Sequence, residues 1–328
     1  MTLFLRGVKG VKFDYDYLVV GSGFGGSVSA LRLAEKGWRV GVAEQGRRIG
    51  PEEIRRGKSS VFRLLWNPAM GMKGYFTQRA FRHLVVVGGV GVGGGSLVWG
   101  AVMLQPKPEF YRDSQLVSLG VDWEAELGPC FATAREMLGV ATNPRKTEQD
   151  VYLEQTAEAM GAVNTYAPVP NAIHFVATNS SWEDAATVAA AGPHRAPCNF
   201  CGGCLTGCEF GAKNSLDYNY LQRAEQLGVT VLPERRADRI EPLPDGGYRV
   251  HLVSPGFGRQ SQVLTARKVV VSSGVLGTLE LLFRNRDDYG SLPGVSSTLG
   301  QIVRTNSEAI TAVLHPAGSD MTDGTAIS

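Results

Sequence analysis

Four of the five cysteines in this chain, Cys198, Cys201, Cys204 and Cys208, fall in the spacing C-x2-C-x2-C-x3-C. That is the spacing of the bacterial iron–sulfur run, and with Gly202, Gly203, Gly207 and Gly211 interleaved, four thiolates could wrap a cluster. Against this, the fourth cysteine of such runs serves another cluster, and the proline that usually follows is replaced here by Glu209. Zinc matches less well, because structural zinc sites place two C-x2–4-C knuckles well apart. Packed free thiols or reversible disulfides are the alternative. Cys130 stands alone in a helical stretch and is expected in the core.

A second constellation is made of glycines. Gly21, Gly23 and Gly26 form G-x-G-x-x-G within "GSGFGG", directly after an apolar run and before a helical one. The first glycine permits a tight turn and the second lets backbone approach a pyrophosphate. The third allows close helix–strand packing, while the helix N-terminus turns oriented N–H groups toward phosphate. Glu44 ends the next strand, where a carboxylate accepts hydrogen bonds from an adenosine ribose and repels the 2′-phosphate of NADP. A further glycine run, "GVGVGGGSLVWG" at 89–100, offers a second backbone cradle. A nicotinamide dehydrogenase has no need of one, whereas a flavin buried along its whole length does.

The elements that must position these residues follow from periodicity. "DYLVV" (16–20) reads as a buried parallel strand, "SVSALRLAEKG" (27–37) as a helix ended by Gly37, and "WRVGVAE" (38–44) as the next strand: a βαβ unit with a right-handed crossover. Residues 45–82 read as polar and irregular. Thr147 is placed to cap a helix over "EQDVYLEQTAEAMG", and 215–228 reads as another helix. "VTVLPE" (229–234), "YRVHLV" (248–253) and "KVVVSSG" (268–274) read as strands, and "TLELLFR" (278–284) as a helix. The expected fold class is α/β, with a Rossmann-like domain in two pieces interrupted by a mainly helical insert.

Composition narrows the function classes. The 328 residues suggest about two domains. Basic residues number 33 against 31 acidic, a net charge of +2 without the basic stripe that a nucleic-acid partner would want. The uncharged run Leu84–Leu104 is long enough to span a bilayer, but seven of its 21 residues are glycine, which suits a loop and not a lipid-facing helix. No transmembrane segment is therefore expected. Residues 1–15 carry Arg6, Lys9, Lys12 and Asp14 and lack an apolar signal core, so a cytoplasmic setting with reduced thiols is the expectation.

"DYLVVGSGFGGSVSALRLAEKGWRVGVAEQG", "GVGVGGGSLVWGAV", the cysteine segment ending "GAKNSLDYNYL", "VVVSSGVLGTLELLF" and "LGQIVRTNSE" together resemble the glucose–methanol–choline (GMC) oxidoreductases, in particular their cholesterol oxidase-like branch. The resemblance implies an FAD enzyme that oxidises a CH–OH group, with hydride passing to the flavin. By position it makes Gly21, Ser22, Gly23, Phe24, Gly25, Gly26 and Glu44 cofactor-binding. It places Gly91, Gly94, Gly95, Ser96, Trp99, Gly100 and Val102 along the pyrophosphate and isoalloxazine, Ala237 at the adenine, and Ser273 and Gly274 on the other side. Steroid oxidases of this type often have Asn where Trp99 stands, so flavin tuning there is expected to differ.

In this resemblance the catalytic base is a histidine near the C-terminus, beside Asn or a second His. His83, His174, His194, His251 and His315 all lack that context; "HPAG" at 315 comes too early. The base is thus expected C-terminal to residue 328, and the chain is expected to be a truncated portion of a longer enzyme. The expected organisation is a FAD-binding domain over 14–107 and 229–304, an insert with the cysteine motif over 108–228, and the start of a substrate-domain sheet at 305–328. The expected substrate is a small-molecule alcohol, above all a 3-hydroxysteroid such as cholesterol, with O2 or an electron carrier as the second partner. The alternatives are a FAD dehydrogenase of another alcohol with an iron–sulfur relay, and a non-catalytic FAD-binding fragment.

Overall fold

The computed structural model describes residues 12–175, 195–256, 258, 260–304 and 323–327. His194 and His315 lie outside the described residues, as does most of 305–328. The chain divides into two compact units, one of Met1–Arg47, Pro68–Gly71 and Arg223–Val303, the other of Arg48–Asn67, Met72–Gln222 and Arg304–Ser328.

The first unit is built on a six-stranded sheet in the order Arg236–Pro242, Tyr248–Val253, Ser261–Val271, Tyr15–Val20, Val40–Ala43, Thr230–Leu232. The last four strands run parallel, and the first two join antiparallel. Leu18 and Val19 are wholly buried, as a near-continuous apolar strand inside a parallel sheet should be. Val20, Ala43, Leu232 and Val271 lie in one register row, so Gly21, Glu44 and Ser272 each follow one residue beyond the carboxyl end of a strand.

Sequence and structure differ here in instructive ways. Strand Ser261–Val271 begins earlier than its apolar segment because it serves two partners. Its first half pairs with Tyr248–Val253, its second with Tyr15–Val20. Strand Arg236–Pro242 escapes period-two reading because its register shifts between Ala237 and Arg239, which breaks the alternation of charged and buried residues. The helix after the sheet starts at Gly274 instead of Thr278.

In the second unit, helix Pro51–Lys58 falls inside the stretch read as irregular. Proline opens it, Glu52 and Glu53 fill its first turn, and Arg55, Arg56 and Lys58 its last. Only Ile54 and Gly57 are buried, too little for an apolar stripe to show. Phe76–Ala80 and Val85–Gly89 pair antiparallel and lead into the second glycine run. Helix Glu148–Ala159 starts as expected at Thr147, whose hydroxyl and amide both donate to Asp150. Cys130, expected in the core, is exposed on helix Trp123–Met137, of which no residue is buried.

No helix among the described residues is long and apolar enough to cross a membrane.

Candidate functional site

The glycine turn of the first unit is shaped by direct backbone contact. Gly21 adopts φ +98°, and a Cβ there would sit 2.5 Å from the Ser272 carbonyl oxygen. A Cβ on Gly26 would lie 1.8 Å from the Gly21 carbonyl oxygen, so helix Phe24–Ala34 packs onto the turn as only glycine allows. Gly23 caps that helix with no side-chain hydrogen bond. The helix's first-turn amides have no intrahelical acceptor and Phe24 and Gly25 are exposed, so the turn presents the positive end of the helix dipole. A glycine turn pressed this tightly onto its own backbone, at a helix N-terminus and the carboxyl edge of a parallel sheet, fits a dinucleotide pyrophosphate.

Glu44 is buried at 5% exposure, and its carboxylate is held by the protein itself. Oε2 accepts from the Ser22 amide at 3.0 Å and the Ser22 hydroxyl at 2.7 Å, while Oε1 accepts from the Gly46 amide at 2.8 Å. Burial pushes its pKa up, opposed by hydrogen bonds from Gly46 and Ser22. Glu44 therefore braces the glycine turn as well as ending the strand. Its backbone carbonyl accepts from the Arg235 amide at 2.7 Å, two residues before Ala237, which is 6% exposed. Ser273 donates its hydroxyl to the Val20 carbonyl at 3.2 Å, and Gly274, at φ +69°, opens the next helix. Sequence reasoning missed Ser272, whose hydroxyl donates to the carbonyls of Val20 at 3.0 Å and Gly21 at 3.1 Å. The "SSG" that ends the strand was its signal.

In the second unit the run 89–100 folds into a chain of left-handed turns, with Gly91, Gly93 and Gly94 at φ +152°, +104° and +56°. A short 3-10 turn, Gly94–Leu97, contains Gly95 and Ser96. Ser96 is wholly buried; it donates to the Gly93 carbonyl at 2.7 Å and accepts from the Leu216 amide at 3.0 Å. Trp99 and Gly100 are half-buried. A Cβ on Gly100 would meet Ile327 at 2.6 Å. Val102 bridges to Asn171, whose wholly buried amide has no hydrogen-bond partner within the protein, the kind of orphan that a polar ligand satisfies.

The cysteines occupy a loop in the same unit as free thiols: Cys204 buried, Cys198 and Cys208 half-buried, Cys201 exposed. Among the described residues no group of three or more His, Cys, Asp or Glu is placed to hold a metal ion, so the iron–sulfur reading of Cys198, Cys201, Cys204 and Cys208 is not sustained. Burial pushes the Cys198 thiol up to about 11 and raises Cys204, so both are protonated thiols in this loop. The loop is fastened instead by backbone contacts. The Tyr75 hydroxyl donates to the Thr206 carbonyl at 2.7 Å, and Gly202 and Phe200 exchange backbone hydrogen bonds with Gly324. Lys213, in "GAKN", is 2% exposed and ties this loop to the glycine run, a role that no spacing in the sequence signals. Of the described histidines, His251 pairs with Glu241 at 2.7 Å, and His174 is half-buried with its pKa lowered by burial and by Arg195.

A parallel sheet ending in G-x-G-x-x-G at a helix N-terminus defines a dinucleotide-binding class of protein. The GMC oxidoreductase family model matches residues 15–285, and this chain belongs to that family. The chain is 40% identical over 329 residues to a cholesterol oxidase of Mycobacterium tuberculosis (strain CDC 1551 / Oshkosh), covering 97% of this chain and 56% of that protein. It is equally 40% identical to a cholesterol oxidase of Acinetobacter baumannii, covering 96% of this chain and 58% of that protein. The chain thus spans a little over half the length of these relatives. A solved fungal aryl-alcohol oxidase shares the fold, with a TM-score of 0.52 at 16% identity over 87% of this chain and 52% of that one.

Proposed function

We propose that this chain binds FAD and belongs to an enzyme that oxidises an alcohol CH–OH group, with a sterol or similarly bulky 3-hydroxy lipid as substrate. The observation that carries the reading is the 40% identity to two cholesterol oxidases across nearly the whole chain. FAD, when bound, supplies the hydride acceptor.

The chain's own residues prepare for it. Gly21 and Gly26 allow the tight turn and its packing, Gly23 is placed to let backbone approach the pyrophosphate at the start of helix Phe24–Ala34, and Glu44 follows the strand where a ribose is expected. In the second unit, the run Gly91–Gly100 and Val102 is the segment the family resemblance sets against the flavin, with Gly94 and Gly95 half-buried in a short 3-10 turn. Ser22, Ser96 and Ser273 direct their hydroxyls into the protein, so their support for a cofactor is through the turns they hold.

Titrating the chain with FAD and following flavin fluorescence and the visible spectrum tests the cofactor. Quenching with a saturable, shifted spectrum is expected; unchanged free-flavin spectra would sink the reading. Adding cholesterol and, separately, a long-chain primary alcohol under anaerobic conditions to the longer enzyme that carries the expected C-terminal histidine tests the substrate class. Bleaching by the sterol supports the sterol reading, and bleaching by the linear alcohol alone overturns it.

A further inference from the structure

Lys213 donates from one buried Nζ to three main-chain carbonyls: Cys204 at 2.7 Å, Leu97 at 2.9 Å and Trp99 at 3.1 Å. An ammonium has three protons and no acceptor capacity, so this geometry satisfies it completely and accounts for its tolerated burial. Two of the carbonyls belong to the second glycine run and the third to the middle of the cysteine loop. The side chain is thus a direct tie between the segment facing the expected flavin and the thiols that the function leaves unused. Groups facing the ammonium are Cys204, Cys208, Asp217 and Lys58.

The same loop carries an inert thiol. Cys204 is 8% exposed and its pKa is raised by burial, so a reagent reaches it only when the loop opens locally. Opening separates the Cys204 carbonyl from Lys213 and frees the tie to Leu97 and Trp99. Whatever steadies the glycine run therefore steadies the loop, and by linkage the converse holds.

We infer that Lys213 is a positioning residue that couples the two. Cofactor on the glycine run protects the Cys204 thiol, and modification of Cys204 weakens cofactor binding. This rests on the FAD reading given above.

The test is iodoacetamide labelling of the full chain with and without saturating FAD, resolved to Cys204 by mass spectrometry, alongside FAD affinity. FAD is expected to slow Cys204 labelling about tenfold in the wild type, the factor that loss of one charged hydrogen bond is worth. Lys213→Met, of similar length but without the charge, is expected to bind FAD about tenfold more weakly and to label at a rate indifferent to FAD. Lys58→Ala loosens the same loop through Glu209, and is expected to label faster while keeping the protection by FAD.

Bound FAD that leaves wild-type labelling unchanged, or Lys213→Met with protection intact, overturns the coupling. If Lys213→Met does not fold, the wild type and Lys58→Ala still decide it. No FAD binding by the wild type overturns the cofactor reading and this inference together.

Discussion

Ser22, Ser96, Ser272 and Ser273 stand next to the glycines, and each spends its hydroxyl on the protein's own backbone or on Glu44. The turns are therefore built by serine side chains and presented by glycine main chain. This predicts a sharp contrast between glycines. Gly26→Ala places a Cβ 1.8 Å from the Gly21 carbonyl oxygen, and is expected to lose FAD binding and fold poorly, read by flavin titration and thermal melting. Gly294→Ala, at a turn position without a positive φ and with nothing within 4 Å, is expected to raise stability by about 0.4–1 kcal/mol. The thiols carry a second prediction. Anaerobically purified protein is expected to titrate all five cysteines after denaturation without reductant, and to hold no stoichiometric iron or acid-labile sulfide. Iron and sulfide near one cluster per chain would restore the reading that the structure does not sustain.

Among the elements, one helix start is written plainly in the sequence. Thr147 and Asp150 form a reciprocal cap on helix Glu148–Ala159, and Thr147→Ala is expected to cost about 1 kcal/mol in chemical denaturation. The cysteine loop is tied to helix Pro51–Lys58 by Glu209, which pairs with Lys58 at 3.0 Å and Arg55 at 3.2 Å. Its hydrogen bond from Lys58 holds the Glu209 carboxyl below the usual glutamate range. A depressed carboxyl pKa contributes stability that is complete above the unfolded value and lost as pH falls through the folded one. Glu209→Gln is expected to cost about 0.5–1 kcal/mol at neutral pH, with the gap to wild type closing in acid. A gap independent of pH would mean that packing, and not the charge, is what the substitution removes.

For the molecule as a whole, any ligand that binds the folded chain alone raises its apparent stability. FAD at about a hundred times its dissociation constant is expected to add about 2.7 kcal/mol, seen as a concentration-dependent rise in melting temperature. ADP, sharing the adenosine and pyrophosphate but not the flavin, is expected to give a smaller rise. Equal shifts from the two would argue that only the first glycine turn is engaged.

The sequence by itself determined the βαβ unit, the glycine turn and the acidic strand end, because these follow from local rules. A buried parallel strand must be apolar throughout, a backbone pressed against backbone must be glycine, and both are written in consecutive residues. It also carried the family, through motifs spread from residue 15 to 285. Tertiary structure alone decided the rest. Strand Arg236–Pro242 exists because a bulge and a partner strand compensate a pattern that breaks period two. Spacing offered the cysteines as metal ligands, yet whether four thiols converge depends on the path of the loop between them. That path is fixed by Tyr75 and Gly324, far away in sequence, and by the buried Lys213 ammonium just after the loop, contacts that no local pattern can announce.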